Sequence, residues 1–180
     1  MRVITGSARG RALETLPGED VRPTVARVKE AVFSIIQFEI EGRRVLDMFG
    51  GSGQMAIEAL SRGAASATIL DSSRRSIEVI RRNLAATKLT DRAAVLETDA
   101  LTFVRNCRHT FDIAFLDPPY GKGILQQALP VLAPHMASGG VILCESPLSE
   151  ALPEQADAYK LYRTYRYGKT KITVYRDTEL

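Results

Sequence analysis

The chain has 180 residues and a formal net charge of +3 at pH 7; 45% of its residues are hydrophobic and 25% are charged. These values are ordinary for one folded, soluble domain. No apolar run approaches the roughly 20 residues that span a bilayer, and the first residues lack the apolar stretch of a secretory signal. Cys107 and Cys144 are far apart without a CxxC spacing, so we predict no zinc site and no disulfide, and we expect a cytoplasmic protein.

The first 40 residues are predicted to form an N-terminal extension. Residues 2–5 and 11–15 could pair as a hairpin across residues 6–10. A helix follows Arg22-Pro23-Thr24, with Thr24 as its N-cap, because apolar residues recur there at helical spacing. Its apolar positions are Val25, Val28, Val32 and Ile35. We expect one domain over residues 1–180, in which residues 1–40 form the extension and residues 41–180 form the core.

Strand-like and helix-like segments alternate from residue 45 onward. Five strands are predicted, over residues 45–49, 67–70, 94–97, 112–116 and 141–144. Four helices are predicted between them, over residues 54–62, 73–86, 100–105 and 125–136, the last stopped by Ser138-Gly139-Gly140. Two further strands, 162–167 and 171–176, are predicted to form an antiparallel hairpin. This alternation predicts an α/β fold whose mostly parallel sheet has helices on both faces.

A glycine-rich loop, Asp47-Met48-Phe49-Gly50-Gly51-Ser52-Gly53, follows the first predicted strand. Glycines let a backbone approach a ligand, and the next helix begins with free N–H groups. Asp71 and Asp99 follow the second and third strands, so they should meet the loop at the carboxyl edge of the sheet. Asp71 suits the hydroxyls of a ribose, Asp99 suits an adenine amine, and Asp47 suits a cationic amine.

These features together describe S-adenosylmethionine as the cofactor. We predict that it is bound by Asp47, Phe49, Gly50, Gly51, Ser52, Gly53, Asp71, Ser72, Asp99 and Ala100. The competing interpretation is a dinucleotide site, because the run from Gly51 to Ala56 matches G-x-G-x-x-A. The Asp47 carboxylate would repel an anionic pyrophosphate, which argues against that interpretation.

The fourth predicted strand ends in the tetrapeptide Asp117-Pro118-Pro119-Tyr120. Its two prolines fix φ and donate no N–H, so the surrounding carbonyls point outward. Asp117 and the carbonyl of Pro118 can both accept hydrogen bonds from one exocyclic amine, and Tyr120 offers a ring on which a base can stack. We therefore predict catalytic roles for Asp117, Pro118, Pro119 and Tyr120; the alternative is a strand that ends in a proline turn.

Two basic regions are candidates for contact with RNA. In the extension we predict contacts from Arg9, Arg11, Arg22, Thr24, Arg27 and Lys29, although the acidic residues among them also fit a solvated face. Residues 159–176 hold six basic residues, no acidic residue and five of the six tyrosines. Whether that segment faces RNA, or its tyrosines only pack, stays open at this point.

Several of these segments together resemble the bacterial 16S (small-subunit) ribosomal RNA guanine-N2 methyltransferase family. The similar runs are Arg9-Gly10-Arg11, Arg22-Pro23-Thr24 with residues 27–33, residues 58–64, Asp117-Pro118-Pro119-Tyr120 and Tyr167-Gly168-Lys169-Thr170. The chain departs from the family pattern at three positions. The family more often has Ala at Gly50, a small residue at Gln54 and Glu at Asp71; Gln54 could narrow the methionine pocket or contact the target base.

The resemblance implies a Rossmann-like class I methyltransferase fold with a seven-stranded sheet, and S-adenosylmethionine as donor without a metal. It implies methyl transfer to the N2 amine of one guanine in 16S ribosomal RNA, on an assembled or nearly assembled 30S particle. Nothing in the sequence suggests an obligate dimer or a membrane partner, so we expect a monomer that does not bind membranes. The resemblance also implies the cofactor and catalytic roles given above. Two alternatives stay open, namely a DNA adenine-N6 methyltransferase and an RNA-binding assembly factor with an inactive fold.

Overall fold

A computed structural model of the protein describes residues 1–18 and 23–177, with only the backbone of Pro23 and Thr24. Its helices are α1 (Pro23–Ile35), α2 (Gln54–Ser61), α3 (Arg74–Thr87), α4 (Ala100–Asn106) and α5 (Ile124–Leu132). Its strands are β1 (Arg44–Asp47), β2 (Ser66–Asp71), β3 (Ala93–Glu97), β4 (Phe111–Leu116), β5 (Met136–Pro147), β6 (Gln155–Ala156), β7 (Tyr159–Tyr167) and β8 (Thr170–Asp177). Among the helices of these two ranges, none is long and apolar enough to cross a membrane.

The strands form one sheet in the order β3-β2-β1-β4-β5-β8-β7-β6. Strands β1 to β5 pair in parallel, while β6, β7 and β8 pair antiparallel to their neighbours. The predicted α/β fold with a mostly parallel sheet is confirmed, and the two-residue β6 adds an eighth strand to the expected seven. The strand order reverses between β1 and β4, and ligands of open α/β sheets bind at such a switch point.

Helices cover both faces of the central strands, which explains why those strands are apolar on both sides. All six residues of β4 are buried. On one face, Ile113 and Phe115 pack with residues of α1, α2 and α3; on the other, Ala114 and Leu116 pack with residues of α4 and α5. The two cores fix the carboxyl ends of β1 and β4 side by side.

The last predicted helix and the fifth strand meet at a different place than expected. Helix α5 ends at Leu132, a single 3-10 turn follows, and β5 already begins at Met136. The run Ser138-Gly139-Gly140, predicted to stop the helix, lies within β5, where Gly139 has φ 75°. The pairing of β4 with β5 shifts its register nearby, between Phe111 and Ile113. The glycines therefore lie at an irregularity of β5 and do not end a helix.

The two segments of the predicted N-terminal hairpin pair through a bridge between Arg2 and Ala12, flanked by backbone hydrogen bonds from Val3 to Arg11 at 3.0 Å and from Leu13 to Met1 at 2.8 Å. Residues of the connecting turn also bind α2. The amides of Ile4 and Thr5 donate to the Glu58 carboxylate at 2.7 and 3.0 Å, and the amide of Ala8 donates to Ser61 Oγ at 2.9 Å. The extension is thus fixed to the helix that follows the glycine-rich loop.

Helix α1 begins at Pro23, two residues before the start that an N-cap at Thr24 predicts. Thr24 therefore lies in the first turn, and its prediction as N-cap is wrong. Proline is well suited to a first helical position, because it has no N–H to leave unpaired there.

Candidate active site

A cleft of about 1340 Å³ opens at the carboxyl edge of the sheet. Acidic residues at or near the carboxyl ends of the five parallel strands line it, namely Asp47, Asp71, Asp99, Asp117 and Glu145. Small-molecule sites commonly have about 300–1,000 Å³. The cleft therefore has room for a nucleoside cofactor together with a second planar group.

The glycine-rich loop packs closely onto β2. The amide of Gly50 donates to the Leu70 carbonyl at 2.7 Å, and a Cβ at Gly50 would lie 2.6 Å from the Ile69 side chain. Gly53 precedes α2 in the left-handed conformation, with φ 82°, which side-chain-bearing residues rarely adopt. This backbone brings the N-terminus of α2 to the cleft.

Asp47 is the most perturbed acid of the site. Its side chain is only 2% exposed, and burial, followed by the charge of Asp71 as the other raising influence, raises its pKa to about 7. The backbone amides of Phe49 and Ala56 donate to its carboxyl and oppose that rise. In the described part of the chain Asp47 Oδ2 has no hydrogen-bond partner. A buried carboxylate oxygen facing a cleft without a partner suits a cationic donor.

Two more buried oxygens near Asp47 also lack a hydrogen-bond partner within the described ranges, namely Ser52 Oγ and Gln54 Oε1. Gln54 lines the cleft. Its bulk lies where the sequence comparison expected a small residue.

The carboxylate of Asp71 is held by the backbone on both of its oxygens. Gly51 donates to Oδ2 at 2.9 Å and Ser73 donates to Oδ1 at 2.8 Å. Each oxygen keeps a second lone pair for a ligand hydroxyl. Ser72, which follows Asp71, also lines the cleft.

Asn83 of α3 supports the loop from behind, and the sequence analysis did not identify it. Its Nδ2 donates to the carbonyls of Ser52 and Glu14, each at 2.9 Å, while its Oδ1 accepts from the Glu14 amide at 2.8 Å. The sequence carried a signal, because Asn83 is a polar residue beside Leu84 on the apolar stripe of α3.

Asp99 lines the cleft and caps α4. Its Oδ2 accepts from the Thr102 amide at 2.9 Å and from Thr102 Oγ1 at 3.0 Å, and these hydrogen bonds hold its pKa below the ordinary value. Ala100 follows it and is buried. Asp99 therefore stays anionic and fixed at the cleft wall.

The tetrapeptide after β4 forms the opposite side of the switch point. Asp117 and Pro119 are exposed, Pro118 is buried, and Tyr120 is 50% exposed. Tyr120 Oη lies 3.5 Å from Glu145 Oε1 and 3.5 Å from Thr170 Oγ1, at the outer limit of a hydrogen bond. Partial burial raises the pKa of Tyr120. Its hydroxyl end is anchored while half of its surface stays open to a ligand.

Glu145 is the second residue that sequence reasoning missed. Leu116 of β4 pairs with Cys144 of β5, so the residues that follow them, Asp117 and Glu145, are neighbours. Burial raises the pKa of Glu145. The signal was present, because Glu145 is an acid near the end of a predicted strand, as Asp71 and Asp117 are.

The predicted RNA contacts separate into three groups. Arg9, Arg11 and Arg27 are exposed. Arg22 lies outside the described residues, as does the side chain of Thr24. The prediction for Lys29 is wrong, because this side chain is buried.

The ammonium of Lys29 is committed to contacts inside the protein. Its Nζ lies 3.2 Å from Glu58 Oε1 and donates to the Arg2 carbonyl at 3.2 Å. The residue is 2% exposed, and burial lowers its pKa. A phosphate could reach it only if this ion pair were broken.

Both the sequence and the fold of this chain match those of known proteins. The family model described as "Conserved hypothetical protein 95" matches residues 1–176. The chain belongs to this family. Its membership confirms the family predicted from the sequence motifs.

Two curated relatives cover nearly the whole chain. "Putative rRNA methyltransferase YlbH" of Bacillus subtilis is 36% identical, over 98% of this chain and 98% of its own. "Ribosomal RNA small subunit methyltransferase D" of Escherichia coli is 32% identical, over 98% of this chain and 89% of its own. A solved structure, "Putative methyltransferase yhhF" from Escherichia coli, has a TM-score of 0.88 at 32% identity, over 98% of this chain and 97% of its own. The methyltransferase fold is thereby confirmed for this member of the Conserved hypothetical protein 95 family.

Proposed function

We propose that this protein is a ribosomal RNA methyltransferase that uses S-adenosylmethionine to methylate the N2 amine of a guanine in 16S ribosomal RNA, within an assembled 30S particle. One observation carries the proposal. A glycine-rich loop with a buried, unpartnered carboxylate oxygen and the Asp117–Tyr120 tetrapeptide border one cleft at the switch point of the sheet. Relatives of nearly the same length that are named ribosomal RNA methyltransferases support it.

The residues of the cleft fit this cofactor. Asp47 would accept hydrogen bonds from the amino group of the cofactor's methionine part, because Oδ2 lacks a partner in the described structure. The positive charge of that amino group would stabilise the buried Asp47 carboxylate. Asp71 would accept the ribose hydroxyls, and Asp99 with Ala100 would flank the adenine. The remaining proposed contacts come from the loop between Phe49 and Gly53 and from Ser72. When bound, S-adenosylmethionine supplies a methyl group on a positively charged sulfur, so the chemistry requires no metal.

The tetrapeptide would orient the target amine. Asp117 and the carbonyl of Pro118 accept its two hydrogens, which turns the nitrogen lone pair toward the methyl group. Pro119 helps to hold this backbone rigid. A base leaves its stack at a cost of a few kcal/mol, and stacking on Tyr120 offsets about 1–3 kcal/mol of that cost. Asp117 then receives the proton that the methylated amine loses.

Residues 1–40 would form an extension that meets the RNA beside the catalytic core over residues 41–180. Arg9, Arg11 and Arg27 are exposed there, and exposed basic side chains bind phosphates without reading sequence. Lys122 and Lys169 line the cleft itself. They would contact the RNA backbone beside a base that has entered.

The test uses purified protein, labelled S-adenosylmethionine and small ribosomal subunits that lack the modification, compared with naked 16S RNA. The RNA is digested to nucleosides and the labelled product is identified. We expect label in N2-methylguanosine, more with subunits than with naked RNA, and none with an Asp117→Ala variant. Label in N6-methyladenosine, or label in DNA but not in ribosomal RNA, would overturn the substrate assignment and leave the cofactor site intact.

A further inference from the structure

The tyrosines of the C-terminal strands divide into two groups in the structure. Tyr159 and Tyr175 are buried, and their hydroxyls donate to backbone carbonyls, each at 2.6 Å. The other three keep solvent-accessible surface, namely Tyr162, Tyr165 and Tyr167. The first two therefore pack inside the protein, and the other three remain available to a partner.

One face of β7 carries only basic and aromatic side chains. Residues opposite each other in antiparallel strands point to the same side of the sheet. Arg163 lies opposite Val174 and Tyr165 lies opposite Ile172, and both partners belong to the core that α1, α2 and α3 cover. Since strand side chains alternate, Lys160 and Tyr167 lie on this side as well. The basic-aromatic face of β7 comprises Lys160, Tyr162, Arg163, Tyr165 and Tyr167.

Tyr162 is held in place although it is 63% exposed. It is the extra residue where the pairing of β7 with β8 shifts its register, between Leu161 and Arg163. The Arg176 guanidinium lies 5.3 Å from the centroid of the Tyr162 ring, and Glu39 accepts two hydrogen bonds from Arg176, at 2.6 and 2.9 Å. A ring whose position is already fixed loses less conformational entropy when a ligand stacks on it.

Phe38 extends this surface from the segment after α1. It is 93% exposed and directly precedes Glu39, the residue that holds Arg176. Two exposed aromatic side chains, Phe38 and Tyr162, therefore flank one ion pair. Exposed aromatic rings among basic side chains are the combination with which proteins bind unpaired nucleotides.

Charge and position both favour RNA as the partner of this face. Residues 159–176 hold six basic residues and no acidic residue, whereas the centres of protein interfaces are depleted of charge. The turn between β7 and β8 connects the face to the cleft, because Gly168, Lys169 and Thr170 line the cleft. At about 3.3 Å per residue, the strand from Tyr167 to Tyr162 covers about 17 Å, a length that several nucleotides span.

We propose that the basic-aromatic face of β7 binds unpaired nucleotides of the substrate RNA, next to the base that enters the cleft. The RNA in this inference rests on the proposed function. Tyr162 and Phe38 stack on bases, while Lys160 and Arg163 contact phosphates. Every base has a ring face on which to stack, so these contacts tolerate different sequences. The face supplies affinity and places the RNA, and the cleft selects the base.

Binding of the cofactor-free protein to small ribosomal subunits and to naked 16S RNA tests the face directly. Tyr162→Ala should weaken both about tenfold, whereas Tyr162→Phe, which keeps the ring, should bind like wild type. Arg163→Ala should lower the salt slope by about 0.7, and the matched change at an exposed arginine of α3, Arg81→Ala, should leave it unchanged. Unchanged RNA affinity in Tyr162→Ala overturns the proposal. So does a loss with subunits but not with naked RNA, because it indicates a protein contact.

Steady-state kinetics separate this face from the catalytic residues. Tyr162→Ala should raise KM for subunits about tenfold and leave kcat and S-adenosylmethionine affinity at wild-type values, because Tyr162 is not part of the cleft lining. A lower kcat with an unchanged KM would contradict a role in binding RNA. If Tyr162→Ala weakens RNA binding but wild type yields no N2-methylguanosine, the face is supported and the proposed function fails.

Discussion

Replacement of Asp47 by Asn tests the claim that the buried Asp47 carboxylate destabilises the folded protein when it is ionised. Burial raises the pKa of Asp47 from 3.8 to about 7, so the folded state binds its proton more tightly than the unfolded state does. For such a group, stability is greatest at low pH and falls as the pH rises from the unfolded pKa to the folded one. Between about pH 5 and about pH 8, this one group should cost wild type about 2.5 kcal/mol of unfolding free energy.

The assay is urea unfolding of the protein without cofactor at both pH values. Asp47→Asn should lack this loss, because the amide does not titrate, so the difference between variant and wild type should grow by about 2.5 kcal/mol from about pH 5 to about pH 8. The same variant should bind S-adenosylmethionine far more weakly, since it offers no charge to the amino group. A difference that stays constant over this range would refute the argument that Asp47 is protonated by its burial.

Three further changes test other parts of the molecule. Asp117→Ala should lower kcat at least about 100-fold, while the affinity for S-adenosylmethionine, measured by calorimetry, stays near wild type. An equal loss of both would contradict the catalytic assignment. Glu58→Ala should cost about 3–5 kcal/mol in urea unfolding, because it removes the ion-pair partner of the buried Lys29. A Lys29→Met, Glu58→Leu double variant should recover only part of that cost, since the amides of Ile4 and Thr5 still lack their acceptor. Arg9→Ala and Arg11→Ala should each weaken binding to subunits and lower its salt slope by about one, and an unchanged slope would exclude a phosphate contact.

Local sequence signals were sufficient for the elements and for most acids of the cleft. The period of α3 and the apolar run of β4 are read directly along the chain, and parallel strands bring their carboxyl ends to one edge whatever the details of packing. Asp47, Asp71, Asp99 and Asp117 therefore line the predicted edge. Glu145 follows the same rule and was overlooked because no motif marks it.

Lys29 shows what a linear pattern cannot reveal. Its position next to Val28 on α1 places it at the buried face, but lysine is rarely buried without a partner. That partner, Glu58, belongs to another helix, so only the tertiary structure shows that the charge is compensated. The glycines of β5 were misread for a related reason, since Ser138-Gly139-Gly140 reads as a turn until the neighbouring strands show that it is a strand irregularity.

Strand β8 lies in the interior of the sheet, between β5 and β7, although it comes last among the described strands. Thr170 and Ile172, which line the cleft, therefore arrive from the far end of the described chain. A protein shortened at Gly168 would leave β5 as an apolar sheet edge, and such edges recruit other strands. For protein engineering, affinity tags and split-protein junctions are better placed in the exposed loop at Leu148 and Ser149 than anywhere within this last strand.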